Sequence, residues 1–157
     1  MVSVSNVTEA LQKKEVGQVT DGLCVFRNEK GRAICTTKII KKGERVCQYV
    51  GELISYREGC KREVKLDPSL GSYMYFFQKG NRRLCLDATD EKKFPSFGRL
   101  INHSKKKANV NPCVVGSIHS PEIWFFALRD IAIGEEILYD YNDQNEASLE
   151  KFPWLLE

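Results

Sequence analysis

The chain has 157 residues, 42% hydrophobic and 29% charged, which suits one soluble domain and excludes a disordered composition. A chain of this length buries roughly two-thirds of its unfolded surface, enough for a core without staples. The net charge of +3 excludes a strongly basic nucleic-acid arm but hides a sorting: residues 61–110 carry 12 Lys/Arg against 5 Asp/Glu, and residues 111–157 carry 2 against 9.

Asn6-Val7-Thr8-Glu9 has capping-box spacing, so a short helix is expected over about Val7–Glu15. Leu23–Phe26 and Ala33–Thr37 read as strands around a hairpin loop at Asn28-Glu29-Lys30-Gly31. Lys42-Gly43-Glu44 is a turn, and Arg45–Ile54, rich in Val, Ile and Tyr, is a strand. Ser55 caps an expected helix over Tyr56–Leu66, which Asp67-Pro68 stops. Ser72–Gln78 and Arg83–Leu86 bracket a second hairpin loop, Lys79-Gly80-Asn81. Asn109–Gly116 and Glu122–Leu128 form a third hairpin with its loop at Ser117–Pro121. A short late strand follows at Ile137–Tyr141, then a helix over Asn145–Phe152 ended by Pro153. Many short strands, few helices and no βαβ alternation define a mostly β, α+β class and argue against a doubly wound sheet.

Six cysteines, Cys24, Cys35, Cys47, Cys60, Cys85 and Cys113, form no CxxC pair and no zinc spacing. The expectation is free thiols acting as small core hydrophobes, with no metal. No apolar run approaches the roughly 18 residues of a membrane span. The chain therefore reads as intracellular, soluble and without a membrane partner.

Three constellations carry chemistry. Lys30-Gly31-Arg32 lies in a tight loop, where glycine lets a backbone approach a ligand and turn N–H groups receive a carboxylate. Taken alone, a charged surface hairpin is the stronger reading, because Gly is common in turns. Gly98–Ser104 delivers Arg99, Asn102, His103 and Ser104 in quick succession. No metal-ligand spacing surrounds His103 and no G-x-S-x-G elbow surrounds Ser104, so this is either a polar cap or a binding segment. In Gly134–Tyr141, Tyr139 and Tyr141 stand two apart and face the same way on a strand. They either line a narrow slot or form a buried aromatic pair.

Asn102-His103-Ser104 followed by Gly134–Tyr141, in that order and separation, resembles the SET-domain protein-lysine methyltransferases over roughly Gly22–Tyr141. Asp67-Pro68-Ser69, Tyr73-Met74-Tyr75, Leu86-Asp87-Ala88-Thr89, Gly98–Lys105 and Phe152-Pro153-Trp154-Leu155 point within that family to the group that monomethylates lysine twenty of histone H4. The resemblance implies a fold of small sheets in which the Asn102 and Tyr141 segments meet in a knot-like crossing, an exception to the rule against threading. It implies a flanking segment at 1–20, the SET domain at 21–142, and a closing helix and tail at 143–157.

The resemblance further implies S-adenosylmethionine as cofactor, held by Lys30, Gly31, Arg32, Tyr73, Asn102 and His103, with Trp154 closing the site after the last helix. Terminal packing is the alternative for Trp154. Tyr141 matches the catalytic tyrosine, Tyr139 the position that sets the number of methyl groups, and Tyr49 a third channel phenol. A tyrosine at 139 implies monomethylation. Ala33 stands where a glycine would complete the cofactor loop and sets a small methyl group where the backbone would approach the ligand, and Asn142 replaces a glycine after Tyr141. The expected partner is a histone tail, H4 foremost, or a nucleosome, with DNA phosphate contact through the basic middle segment. A nuclear, chromatin-regulating monomer is implied. Glu135, Glu136, Asp140 and Asp143 are expected to wall the channel and steer a basic tail. Three other readings are an inactive module that binds a lysine peptide, a methyltransferase for a non-histone protein, and a nucleic-acid binder.

Overall fold

A two-residue turn, Glu29-Lys30, closes the first hairpin of the structure, a computed structural model describing residues 19–20, 22–67, 69, 72–141 and 156–157. Asn28 Oδ1 accepts the Lys30 N–H at 2.9 Å, and Gly31 takes φ +100°, a conformation that side chains disfavour. Pairing therefore runs up to Asn28 and Gly31, so the strands are longer than expected. β1 (Val19–Thr20), β2 (Leu23–Asn28) and β3 (Gly31–Thr36) form an antiparallel sheet in that order. Cross-strand pairing of Cys24 with Cys35 and of Phe26 with Ala33 puts all four in one buried cluster. On its other edge β3 meets residues 134–137, through Gly134 N–H to the Thr36 carbonyl at 2.7 Å and Ile137 N–H to that of Ile34 at 2.8 Å.

The expected strand Arg45–Ile54 is two strands, β4 (Arg45–Tyr49) and β5 (Glu52–Ser55). Between them Gly51 lies so close to the Asp87 backbone that a Cβ would sit 2.8 Å from its carbonyl group. α1 (Tyr56–Val64) starts where Ser55 Oγ accepts the Glu58 N–H at 3.1 Å. It ends before Leu66 because Lys65 and Leu66 bond back to Arg62 and Glu63 in a tightened last turn. β6 (Met74–Lys79) and β7 (Arg82–Asp87) form the second hairpin around Gly80-Asn81, in a sheet ordered β5-β7-β6. A 3-10 turn at Gly98–Leu100 leads into β8 (Asn102–His103). β9 (Val110–Gly116) and β10 (Pro121–Ala127) form the third hairpin, in a sheet ordered β4-β10-β9. β11 (Leu138–Tyr139) is shorter than the expected Ile137–Tyr141 and pairs in parallel with β8. The helices expected over Val7–Glu15 and Asn145–Phe152 lie outside the described residues, as does Pro68.

The chain divides into two compact units. The first draws on residues 1–46, 100–112 and 125–157, the second on 47–99 and 113–124. In the first, Ile34, Ile40, Ile101, Val110, Phe125, Ile131 and Ile137 are fully buried. All six cysteines are free, with Cys24, Cys35 and Cys85 buried. Burial pushes the thiols of Cys47 and Cys85 up to about 12, so both stay protonated, and Cys85 packs as a core hydrophobe. No described helix is long and apolar enough to cross a membrane.

In the second unit Arg62 of α1 gathers three carboxylates: Glu52 at 2.7 Å, Asp87 at 2.8 Å and Glu58 at 3.1 Å. The Arg62 hydrogen bond holds the Glu52 carboxyl below its ordinary range. Burial acts to raise Asp87, but hydrogen bonds from Thr89 and Arg62 outweigh it and hold that carboxyl low as well. Both groups thus favour folding above their unfolded pKa values, a contribution lost as pH falls through the folded ones. Arg62→Met is expected to lower the urea midpoint at pH 7, and the difference from wild type should shrink at pH 3. Gly98 packs against the Gln48 carbonyl, which an added Cβ would overlap. Gly98→Ala should destabilise by about 1–3 kcal/mol, read as a lower thermal midpoint.

Candidate active site

The site of the first unit is built on the β8–β11 crossing. Asn102 pairs with Leu138 and His103 with Tyr139. Two residues of parallel pairing hold little alone, and side clamps fasten them. Ser104 N–H donates to the Tyr139 carbonyl at 3.1 Å, and Tyr141 N–H donates to His103 Nδ1 at 3.0 Å. Asn109, 1% exposed, donates from Nδ2 to the Glu136 carbonyl at 2.8 Å. Its Oδ1 accepts the Leu138 N–H at 3.0 Å. The Asn109 side chain thus substitutes for a strand neighbour along 136–138.

The turn of the first hairpin joins this crossing. Lys30 Nζ donates to the His103 carbonyl at 3.1 Å, and Asn102 Nδ2 to the Arg32 carbonyl at 3.1 Å. A Cβ on Gly31 would meet nothing within 4 Å, so its backbone borders open space. Lys30, Gly31, Arg32, Asn102 and His103 thus lie together at the crossing. Ala33 does not crowd this turn. Its methyl is fully buried with Cys24, Phe26 and Cys35, because alternation along β3 aims it at the core.

The two phenols stand side by side despite the shortened strand. The rings of Tyr139 and Tyr141 are 4.5 Å apart at 43°. Tyr139 is 5% exposed, its ring 4.8 Å from that of Phe125. Tyr141 lies 5.0 Å from the His103 ring, and its hydroxyl donates to the Ile101 carbonyl at 2.9 Å.

The carboxylates expected to wall a channel are largely committed elsewhere. Glu135 makes a two-pronged pair with Arg129 at 2.8 and 3.2 Å, and the Arg129 hydrogen bond holds its carboxyl low. Glu136 accepts from Asn28 and Asn102. Asp140 lies 3.9 Å from His103 Nδ1, which accepts the Tyr141 N–H and so presents a lone pair rather than a proton. Asp143 lies outside the described residues.

Tyr49 and Tyr73 belong to the second unit. Tyr49 is 4% exposed, its ring 5.3 Å from that of Tyr75, whose hydroxyl burial pushes up to about 12. Tyr73 lies under the Arg99 guanidinium, 4.0 Å from its ring centre, and its carbonyl accepts the Ala88 N–H at 2.8 Å. Trp154 lies outside the described residues. Sequence reasoning missed Asn28, Asn109, Phe125 and the role of Glu136. Asn28, Asn109 and Phe125 lie outside the three constellations and Glu136 inside the third, and the partners that give them these roles lie far away in the chain.

The SET domain family model matches residues 31–142, and the chain belongs to the SET-domain family. It is 42% identical over 129 residues to histone-lysine N-methyltransferase set-1 of Caenorhabditis elegans, covering 81% of this chain and 52% of that one. CpSET8 from Cryptosporidium superposes with a TM-score of 0.71 at 37% identity, over 78% of this chain and 58% of that one. Chaetomium thermophilum polycomb repressive complex 2 bound to S-adenosylmethionine superposes with a TM-score of 0.65 at 27% identity, over 87% of this chain and 17% of that one. The chain thus spans about half the length of the Caenorhabditis elegans protein it matches.

Removing the Asn109 side chain leaves a buried N–H and a buried carbonyl without their partner. Asn109→Leu should therefore cost about 2–4 kcal/mol, measured by denaturant unfolding.

Proposed function

We propose that this chain is an S-adenosylmethionine-dependent protein-lysine N-methyltransferase that adds a single methyl group to a histone tail lysine, H4 foremost. The observation that carries the reading is one crossing bearing both the Lys30, Asn102 and His103 cluster and the Tyr139–Tyr141 pair. The relative named a histone-lysine N-methyltransferase supports the substrate class, and the solved complex bound to S-adenosylmethionine supports the cofactor.

The residues of the first unit fit that cofactor. Open space beside Gly31 admits a ligand close to the backbone. Lys30 offers a cation for a carboxylate, and Asn102 offers an amide oxygen for an ammonium. In this reading Arg32, His103, Tyr73 and Trp154 complete its contacts, within a SET domain at 21–142 flanked by 1–20 and 143–157. S-adenosylmethionine supplies, when bound, a methyl group on a positively charged sulfur, open to in-line displacement by a neutral amine.

The chain's task is then to neutralise and aim the target lysine. A lysine of pKa about 10.4 is charged at pH 7. Enclosure between phenol rings strips its water and favours the neutral form. No strong side-chain base is required, and orientation remains as the main demand. Tyr141 meets it because its proton is directed to the Ile101 carbonyl, which leaves the hydroxyl lone pairs as acceptors. Tyr139, closed in by Phe125 and Tyr141, leaves little room for an amine that already carries a methyl group. Tyr49 is assigned as the third channel phenol. A basic tail, contact between the lysine-rich middle segment and DNA phosphate, a nuclear setting and a monomeric state complete the reading.

Mass spectrometry of an H4-tail peptide and of nucleosomes after incubation with S-adenosylmethionine should show one added methyl group on one lysine. No transfer to either, with peptide binding retained, would instead identify an inactive lysine-binding module. Tyr139→Phe should raise the dimethyl fraction above wild type, and Tyr141→Phe should lower kcat at least about tenfold.

A further inference from the structure

We infer that Glu136, held by Asn28, is a positioning residue that fixes the orientation of the Asn102 amide and so makes the site select a ligand ammonium. This rests on the proposed cofactor reading and extends it to residues that the family match does not assign.

The argument starts from what an amide can do. Asparagine carries an acceptor oxygen and a donor nitrogen of nearly equal size, and rotation by half a turn exchanges them. Which atom faces a ligand decides whether the site accepts from an ammonium or donates to a carboxylate. At Asn102 the choice is made by two acceptor-only groups. The Arg32 carbonyl lies 3.1 Å from Nδ2, and Glu136 Oε1 lies 3.4 Å from the same atom. An amide oxygen turned to that side would face a carbonyl and a carboxylate, two repulsive contacts. Nδ2 is thus held inward, and Oδ1 is left to accept from elsewhere.

Glu136 needs its own anchor to do this. Asn28, at the end of the first hairpin strand, presents Nδ2 at 3.4 Å from both Glu136 oxygens. Asn28 is itself oriented, because its Oδ1 accepts the Lys30 N–H. The Glu136 backbone is fixed by its bridge to Cys35 and by Asn109 on its carbonyl. The chain of orientation runs from the Lys30 turn through Asn28 and Glu136 to Asn102. The same turn that offers Lys30 to a carboxylate therefore sets Asn102 for the ammonium. A zwitterionic amino-acid end, with both groups, is the ligand chemistry this arrangement fits.

The test compares two ligands by calorimetry: S-adenosylhomocysteine and its analogue with hydrogen in place of the α-amino group. The ratio of their Kd values reports ammonium recognition and requires no turnover. Wild type should favour the amino-bearing ligand at least about tenfold, the scale of one hydrogen bond to a charged group. Glu136→Ala removes the farther of the two acceptors and leaves the Arg32 carbonyl, so it should lower that ratio by at least about threefold. Glu136→Gln keeps an acceptor and should retain most of it. Asn28→Ala, which removes one support of Glu136, should lower the ratio by a smaller factor and serves if Glu136→Ala fails to fold.

An unchanged ratio in the Glu136→Ala and Asn28→Ala proteins would overturn the inference. So would a Glu136→Gln protein that loses the ratio as fully as Glu136→Ala, since charge rather than orientation would then be at work. Failure of the wild type to bind S-adenosylhomocysteine at all would instead overturn the cofactor reading on which the inference stands.

Discussion

Four residues in parallel pairing, Asn102 and His103 against Leu138 and Tyr139, are the constraint on which the first unit's site depends. So short a ladder is weak by itself, and parallel pairing is the less stable kind. The fold compensates with side chains that act as backbone. Asn109 supplies both a donor and an acceptor to 136–138, and His103 Nδ1 takes the Tyr141 N–H. These clamps place the Tyr141 ring beside that of Tyr139, while the Tyr141 hydroxyl reaches the Ile101 carbonyl.

The same pairing joins the Lys30–Asn102 cluster to the Tyr139–Tyr141 pair without a separate device. His103 offers its carbonyl to Lys30 and its ring to Tyr141. Asn102, one residue earlier, holds the Arg32 carbonyl. A shift of β8 by one residue would exchange inward and outward side chains and dismantle both halves together. Buried residues on each side, Ile101, Val110 and Ile137 among them, oppose such a shift.

The sorted charge along the chain has a different meaning in three dimensions. The acidic C-terminal stretch suggested an open wall for a basic partner. Glu135 is instead tied to Arg129, and Glu136 to two asparagines. A carboxylate paired with an Arg has its charge offset locally and steers a distant partner weakly, whereas one held by neutral amides keeps its charge but is fixed in place. In the second unit Glu52, Glu58 and Asp87 are gathered in the same way by a single Arg62.

Local instructions were legible from the residues alone. The Asn28–Gly31 turn, the Ser55 cap and the three hairpins depend on neighbours within a few positions, and they fell where their residue types put them. Contacts between distant positions were not legible. The break at Gly51 arises from the Asp87 backbone, and the inward position of Ala33 arises from which face of β3 is buried. The link from Asn28 to Glu136 spans 108 positions. Residue type and spacing determined the turns, the caps and the identity of the candidate groups, because short-range sterics and hydrogen bonding act within a few residues. Only the tertiary structure decided which amide atom, which lone pair and which carboxylate remain available to a ligand, because each is set by partners that the crossing of distant segments brings within hydrogen-bond reach.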